Sequence, residues 1–116
     1  MRVAFDDDLD GVVAAPNHHR VLFENDEVRV LRTTIRAGDT APLHSHLAPT
    51  VSYKLSGSHI HRRAADGSTL LDTKADSTSV LPEVSFSEGT PPHTLENTGD
   101  DDLIVINVEL KRPRST

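Results

Sequence analysis

The sequence predicts an all-β domain, a sandwich or barrel, and three observations carry that expectation. From Arg20 onward, short runs rich in Val, Ile, Leu and Thr follow one another. Turn-forming residues cut them roughly every six to twelve positions, the punctuation of a many-stranded β fold. No window sustains a helical apolar period, so almost no helix is expected. Strands are placed at Arg20–Glu24, Glu27–Ile35, Ala41–Leu47, Thr50–Ser56, Ser58–Arg63, Ser68–Asp72, Thr78–Leu81, His93–Asn97 and Asp102–Leu110.

The first boundary, Asn25-Asp26, takes Asx-turn or left-handed geometry readily, and Asp66-Gly67 suits a two-residue hairpin turn. Gly57 and Thr98-Gly99-Asp100 supply further breaks. In the second strand the apolar set starts at Val28 and Val30 but continues at Leu31 and Ile35, so either both faces are covered or a bulge shifts the phase. In the last strand Ile104, Ile106, Val108 and Leu110 form one face, and Leu103, Val105, Asn107 and Glu109 the other. Burial on both sides over its first half fits a central strand of a small closed barrel. The domain spans 20–110, with a flexible or loosely docked arm at 1–19 and a frayed tail at 111–116.

Composition excludes several classes of function. The chain has 116 residues, no cysteine and a formal charge of −6, so disulfide scaffolds, thiolate zinc sites and thiol nucleophiles are ruled out. Its only basic cluster is Lys111-Arg112-Pro113-Arg114, which argues against a nucleic-acid partner. The apolar start Val3-Ala4-Phe5 runs at once into Asp6-Asp7-Asp8, so no secretory signal is expected. The longest apolar run, Leu103–Ile106, is too short to span a bilayer, and the expected location is the cytoplasm, without a membrane partner.

Against that background, seven histidines stand out, five of them between His44 and His93. Residues i and i+2 of a strand project from one face about 6.5 Å apart, so the imidazoles of His44 and His46 can converge on one ion. His93 opens a later strand behind Pro91-Pro92, with Asn97 on the same face by period two. Three neutral imidazoles from two strands suit a metal with open positions. His59 and His61 form a second such pair. They either line the barrel mouth, where one would serve as general base, or lie on a solvated or subunit-facing surface beside Arg62 and Arg63. His18-His19 are expected to be exposed. Lys54 either charges the pocket or reaches solvent, and Asn107 either lines the pocket or makes a structural hydrogen bond.

The run Gly38, five residues, His44-Ser45-His46, three residues, Thr50, six residues, Gly57 resembles the first motif of the cupin superfamily, with Thr50 where glutamate is usual. His93, three residues, Asn97 resembles the end of the second cupin motif; Gly89 stands one position early and Pro91-Pro92 crowd the histidine. The resemblance runs from Val21 to Leu110 and implies a double-stranded β-helix, or jelly-roll, barrel of the small single-domain conserved-barrel type. It implies His44, His46 and His93 as ligands of a divalent iron, manganese, nickel or zinc ion, with Thr50, Ser52 and Asn97 at the pocket. Threonine offers only a neutral hydroxyl, so the alternative is a metal-free barrel whose histidines bond to one another or to water.

Two functions remain open: a metal-dependent enzyme of dioxygenase-like or isomerase-like chemistry, or a binding or sensing module for a small polar metabolite. No catalytic residue is assigned, since neither motif holds an acid–base carboxylate and no serine sits in a nucleophile elbow. If Thr50, Ser52 and Lys54 face the pocket, then Val51, Tyr53 and Leu55 point outward. Either a second subunit covers that face and the chain is a homodimer, the favoured expectation, or a one-residue slip at Ala48-Pro49 turns Val51 inward.

Overall fold

A computed structural model describes residues 7–76, 78 and 80–112. The element order is α1 (Gly11–Ala14), β1 (His19–Glu24), β2 (Val28–Ile35), β3 (Thr40–His46), β4 (Thr50–Ser56), β5 (Ile60–Ala64), β6 (Thr69–Asp72), β7 (Val84–Ser87), β8 (Thr90–Asn97) and β9 (Leu103–Leu110). Two antiparallel sheets form, one in the order β1-β2-β9-β4-β7 and the other β3-β8-β5-β6. Among the described residues no helix is long and apolar enough to cross a membrane.

Strand phase explains which faces meet. β2 pairs with β9 over eight consecutive residues without a register shift. Its burial alternates strictly, with Arg29, Leu31, Thr33 and Ile35 inward and Val28 and Val30 on the other face. The apparent break in apolar period is therefore not a bulge: two polar residues take inward positions. β9 behaves alike, with Leu103 and Glu109 buried. Its all-apolar face, Ile104 to Leu110, is the one turned away from the cavity. β4 settles the choice at Thr50, which is 5% exposed while Val51, Tyr53 and Leu55 are exposed. The strand carries no slip at Ala48-Pro49.

Ile35, Ala41, Ile60, Leu95 and Leu103 form the apolar core between the sheets, with Leu71, Leu81 and Val105 packed against it. Fully burying an isoleucine or leucine side chain stabilises by roughly 1.5–3 kcal/mol. The other end of the interior is polar, and the histidines gather there.

Two expectations are revised. No strand forms at the described part of Thr78–Leu81, whose Ser79 lies outside the described residues; the edge strand is β7, pairing Val84–Ser87 with Thr50–Tyr53. Its Val-Ser-Phe-Ser alternation is a strand signal that begins just beyond Pro82. The N-terminal segment, as far as it is described, packs on the barrel. Asp10 and Ala15 are each 1% exposed, Ser45 N–H donates to the Leu9 carbonyl, and Asp10 caps α1 by accepting from Val12 N–H. Residues 1–6 of the expected arm and 113–116 of the expected tail lie outside the described residues; Lys111 N–H donates to the Glu27 carbonyl.

Candidate metal and ligand site

The local backbone around the histidines is set by proline. Pro42 precedes His44 by two residues and Pro91 precedes His93 by two. A proline cannot donate to the ladder, and the β3–β8 pairing shifts register between Ala41 and His44 and again between His44 and His46. At these irregularities the proline carbonyls accept side-chain bonds: His44 Nδ1–H donates to the Pro42 carbonyl and His93 Nδ1–H to the Pro91 carbonyl, both at 2.7 Å. His44 and His93 are partners across the two strands, with ring centroids 4.4 Å apart.

A carbonyl can only accept, so each of these rings carries its proton on Nδ1 and leaves Nε2 as a lone pair. His19 is the third instance. Its Nδ1–H donates to the Ala15 carbonyl at 3.0 Å, just beyond α1, and its Nε2 is buried without a partner. Its ring lies 4.7 Å from that of His44 and 4.9 Å from that of His46. The ligand atoms of His19, His44 and His46 all lie within 4.8 Å of one another, an arrangement that fits a metal ion. His46 and His93 stand farther apart, at 6.1 Å between rings.

Burial keeps His19, His44 and His93 neutral. Burial pushes His44 down to about 2 and His19 and His93 down to about 4, each helped by neighbouring imidazoles. Neutral imidazole is the form a metal requires. Behind His46 sits a buried ionic chain. Arg29 donates from Nε to Glu109 at 2.6 Å, and from Nη1 and Nη2 to the two Asp10 oxygens at 3.1 and 2.8 Å. Burial pushes the Glu109 carboxyl up, but His46 and Arg29 together hold it below its ordinary value. His46 Nδ1 stands 3.6 Å from Glu109 Oε2, longer than a hydrogen bond, and neither atom has another partner. With Nδ1 on the side of the carboxylate, the His46 ring keeps its Nε2 on the far side, as ligating histidines are commonly held. Glu109 faces Thr50 across the β4–β9 ladder, so a carboxylate stands one strand away from the slot that Thr50 fills.

Beside the imidazoles opens a cavity of about 140 Å³ whose lining includes His19, His44, His46, His93, Thr50 and Ser52. A cavity near that volume accommodates a benzene-sized molecule. Thr50 Oγ1–H donates to the Ala48 carbonyl. Asn107 also lines the cavity, accepting from Thr33 Oγ1–H at 2.6 Å and donating to Ser52 Oγ at 2.9 Å. Asn97, expected at the pocket, is not among the residues lining it. Its Nδ2 donates to the carbonyls of Ile35 and Asp101, and its Oδ1 accepts from Gly99 N–H. Its amide is spent on holding the β8–β9 turn.

His19 was expected to be exposed and is 5% exposed. Gly11 is what allows its approach, since a Cβ there would meet His46 Cε1 at 2.8 Å and His19 Nε2 at 3.3 Å. His59 and His61 stay outside the cavity. His59 Nδ1 bonds Thr73 Oγ1, while His61 contacts Thr69 and Asp72 on the other face of β5. His18 contacts Asp39.

No protein-family model matches the chain, and no curated protein matches its sequence. Solved structures do match. A cupin domain from Bordetella pertussis Tohama I is 17% identical, with a TM-score of 0.66 over 81% of this chain and 92% of that one. An RmlC-like cupin family protein with a double-stranded β-helix fold from Methanocaldococcus jannaschii is 12% identical, with a TM-score of 0.58 over 83% and 79%. The polyketide cyclase RemF from Streptomyces resistomycificus is 17% identical, with a TM-score of 0.54 over 81% of this chain and 64% of its own. With two antiparallel sheets enclosing a histidine-lined cavity and these neighbours in structure, the chain has the double-stranded β-helix fold of the cupin superfamily.

Proposed function

We propose that the barrel holds a divalent first-row transition metal, iron, manganese, nickel or zinc, and binds a small polar molecule beside it. His44, His46 and His93 are the ligands expected from the sequence, and His19 is a fourth donor. The observation that carries this reading is the repeated Nδ1–H bond to a backbone carbonyl at His19, His44 and His93, which leaves an unprotonated Nε2 on each of three buried rings, those of His19 and His93 both packed against His44. The buried Nε2 of His19 has no hydrogen-bond partner within the protein, and ligation would supply one. A divalent ion held there supplies Lewis acidity to an oxygen atom of a bound molecule. Thr33, Ser52 and Asn107, already bonded to one another, orient the polar groups of that molecule. No Asp or Glu lines the cavity among the described residues, and Glu109 is engaged by Arg29. This favours a binding or sensing role over acid–base catalysis.

The test is elemental analysis of untagged protein, repeated with His44→Ala and His93→Ala. About one metal per chain, lost in both variants, is expected. Stoichiometric metal that survives both substitutions overturns the ligand assignment, and absence of metal after reconstitution overturns the metal reading.

The outer face of the five-stranded sheet supports a homodimer. Val51 lies beside Phe86 and Val108, and Tyr53 beside Val84 and Ile106, with no charged residue between them. A second copy offers the same apolar patch at the β4–β7–β9 end of the sheet, the self-complementary arrangement of a two-fold interface. Light scattering on the eluting protein should give twice the chain mass; a clean monomer contradicts the interface.

A further inference from the structure

Two arginines are adjacent on β5, and they differ in one respect. Arg63 lies on the outer face and donates to Glu96 at 3.0 Å. Arg62 shares its face with Ile60 and lines the cavity. Its partners across the two ladders are Leu71 and Leu95, both apolar. Its Nε is buried and without a hydrogen-bond partner, and no ion pair to its guanidinium occurs among the described residues.

A guanidinium never deprotonates in a protein, so its charge must be answered. Holding one partly buried beside apolar neighbours without an acid carries a desolvation cost. Burial lowers the Arg62 pKa, the direction expected of a cation lacking a partner. Lys54, from the opposite sheet, lines the same cavity, with its Nζ on the Leu81 carbonyl at 3.2 Å. In a chain whose formal charge is −6, this cavity carries two cations and no acid among its described lining residues. Ile60, Leu81, Leu95 and Val105 line it too. Bare phosphate or sulfate has no use for that apolar wall, whereas a short carbon chain does.

We propose that Arg62 is the anion-binding group of the cavity and that the cavity takes a small organic carboxylate, its head on Arg62 and its apolar tail against Ile60, Leu95 and Val105. The planar fork of arginine matches a carboxylate bidentately. This inference rests on the reading of the cavity as a ligand site, and it names the class of ligand.

Butyrate, butyramide and inorganic phosphate are suitable probes, each titrated calorimetrically into metal-reconstituted protein, with the Arg62 Nε–H resonance followed by NMR. Butyrate should bind and shift that resonance; butyramide and phosphate should bind at least about tenfold more weakly, the scale of one lost charge-assisted bond. Arg62→Gln should weaken butyrate at least about tenfold and leave metal content unchanged, while Arg62→Lys should retain part of the affinity. The contrast among the three probes on the unaltered chain stands even where Arg62→Gln fails to fold. Equal affinity for butyrate and butyramide, preference for phosphate, no butyrate binding, or butyrate binding indifferent to Arg62→Gln overturns the proposal. Butyrate binding through Arg62 in a chain that takes up no metal would sink the metal reading and leave this one standing.

Discussion

Replacing Arg29 by methionine removes the guanidinium that bridges two buried carboxylates, Asp10 and Glu109. The Asp10 side chain is 2% exposed and that of Glu109 is 0% exposed, so neither recovers water when the guanidinium goes. Breaking a buried pair by deleting one partner costs about 3–5 kcal/mol. At this chain length each kcal/mol moves the midpoint by roughly 3–5 °C, so thermal unfolding at pH 7 should come about 10–20 °C earlier. The difference must also depend on pH. In the parent chain Glu109 is held below its ordinary value, so its contribution is present above the unfolded carboxyl range and is lost as pH falls through the folded value. Without Arg29, burial raises that carboxyl, and the variant recovers relative stability as it protonates. The gap between parent and variant should therefore narrow below about pH 5. Differential scanning calorimetry at pH 7 and pH 4.5 reads both effects. A loss below about 1 kcal/mol, or a gap that stays constant with pH, would refute the reasoning.

Two further outcomes follow from the same geometry. The metal-free chain should lose stability as pH falls from the ordinary histidine value of 6.5 toward about 4. His19 and His93 titrate near 4 in the fold, pushed down chiefly by burial, so the unfolded chain takes up protons first across that window. Denaturant titrations with chelator present check this, and a flat profile between those values contradicts the buried neutral rings. Asn97→Ala should cost about 2–4 kcal/mol, since three backbone partners lose their bonds, yet leave metal content and ligand affinity intact. A variant of parental stability with weakened ligand binding would return Asn97 to the pocket.

Most strands were legible because period-two alternation and turn residues are local signals. β4, Thr50–Ser56, lies where its pattern predicts, whereas β7 is displaced from the expected Thr78–Leu81 because the apolar pair before Pro82 competes with the better alternation after it. His44 and His46 were marked by strand spacing, and His93 by its place at the head of a later strand and by the resemblance to the second cupin motif. His19 was not, since its place depends on α1 folding back over the barrel and on Gly11 leaving room, contacts that no local pattern announces. Arg62 did leave a signal. It shares parity with Ile60, which assigns both to the inward face, but its position beside Arg63 and the His59–His61 pair suggests a shared surface instead. Glu109 was similarly legible as a member of the Leu103, Val105, Asn107 face; its ion pair with Arg29, from a strand far away in sequence, was not.

The central claim is that buried neutral imidazoles present unprotonated Nε2 atoms to one ion. Long-range proton–nitrogen NMR of nitrogen-15-labelled, metal-free protein at pH 7 reads the tautomer of each ring directly, and one equivalent of zinc then reports the ligands. His19, His44 and His93 should be neutral with the proton on Nδ1, and the Nε2 resonances of the cluster should move together on zinc addition. Rings protonated at Nε2, or Nε2 resonances that ignore the metal, would contradict the account.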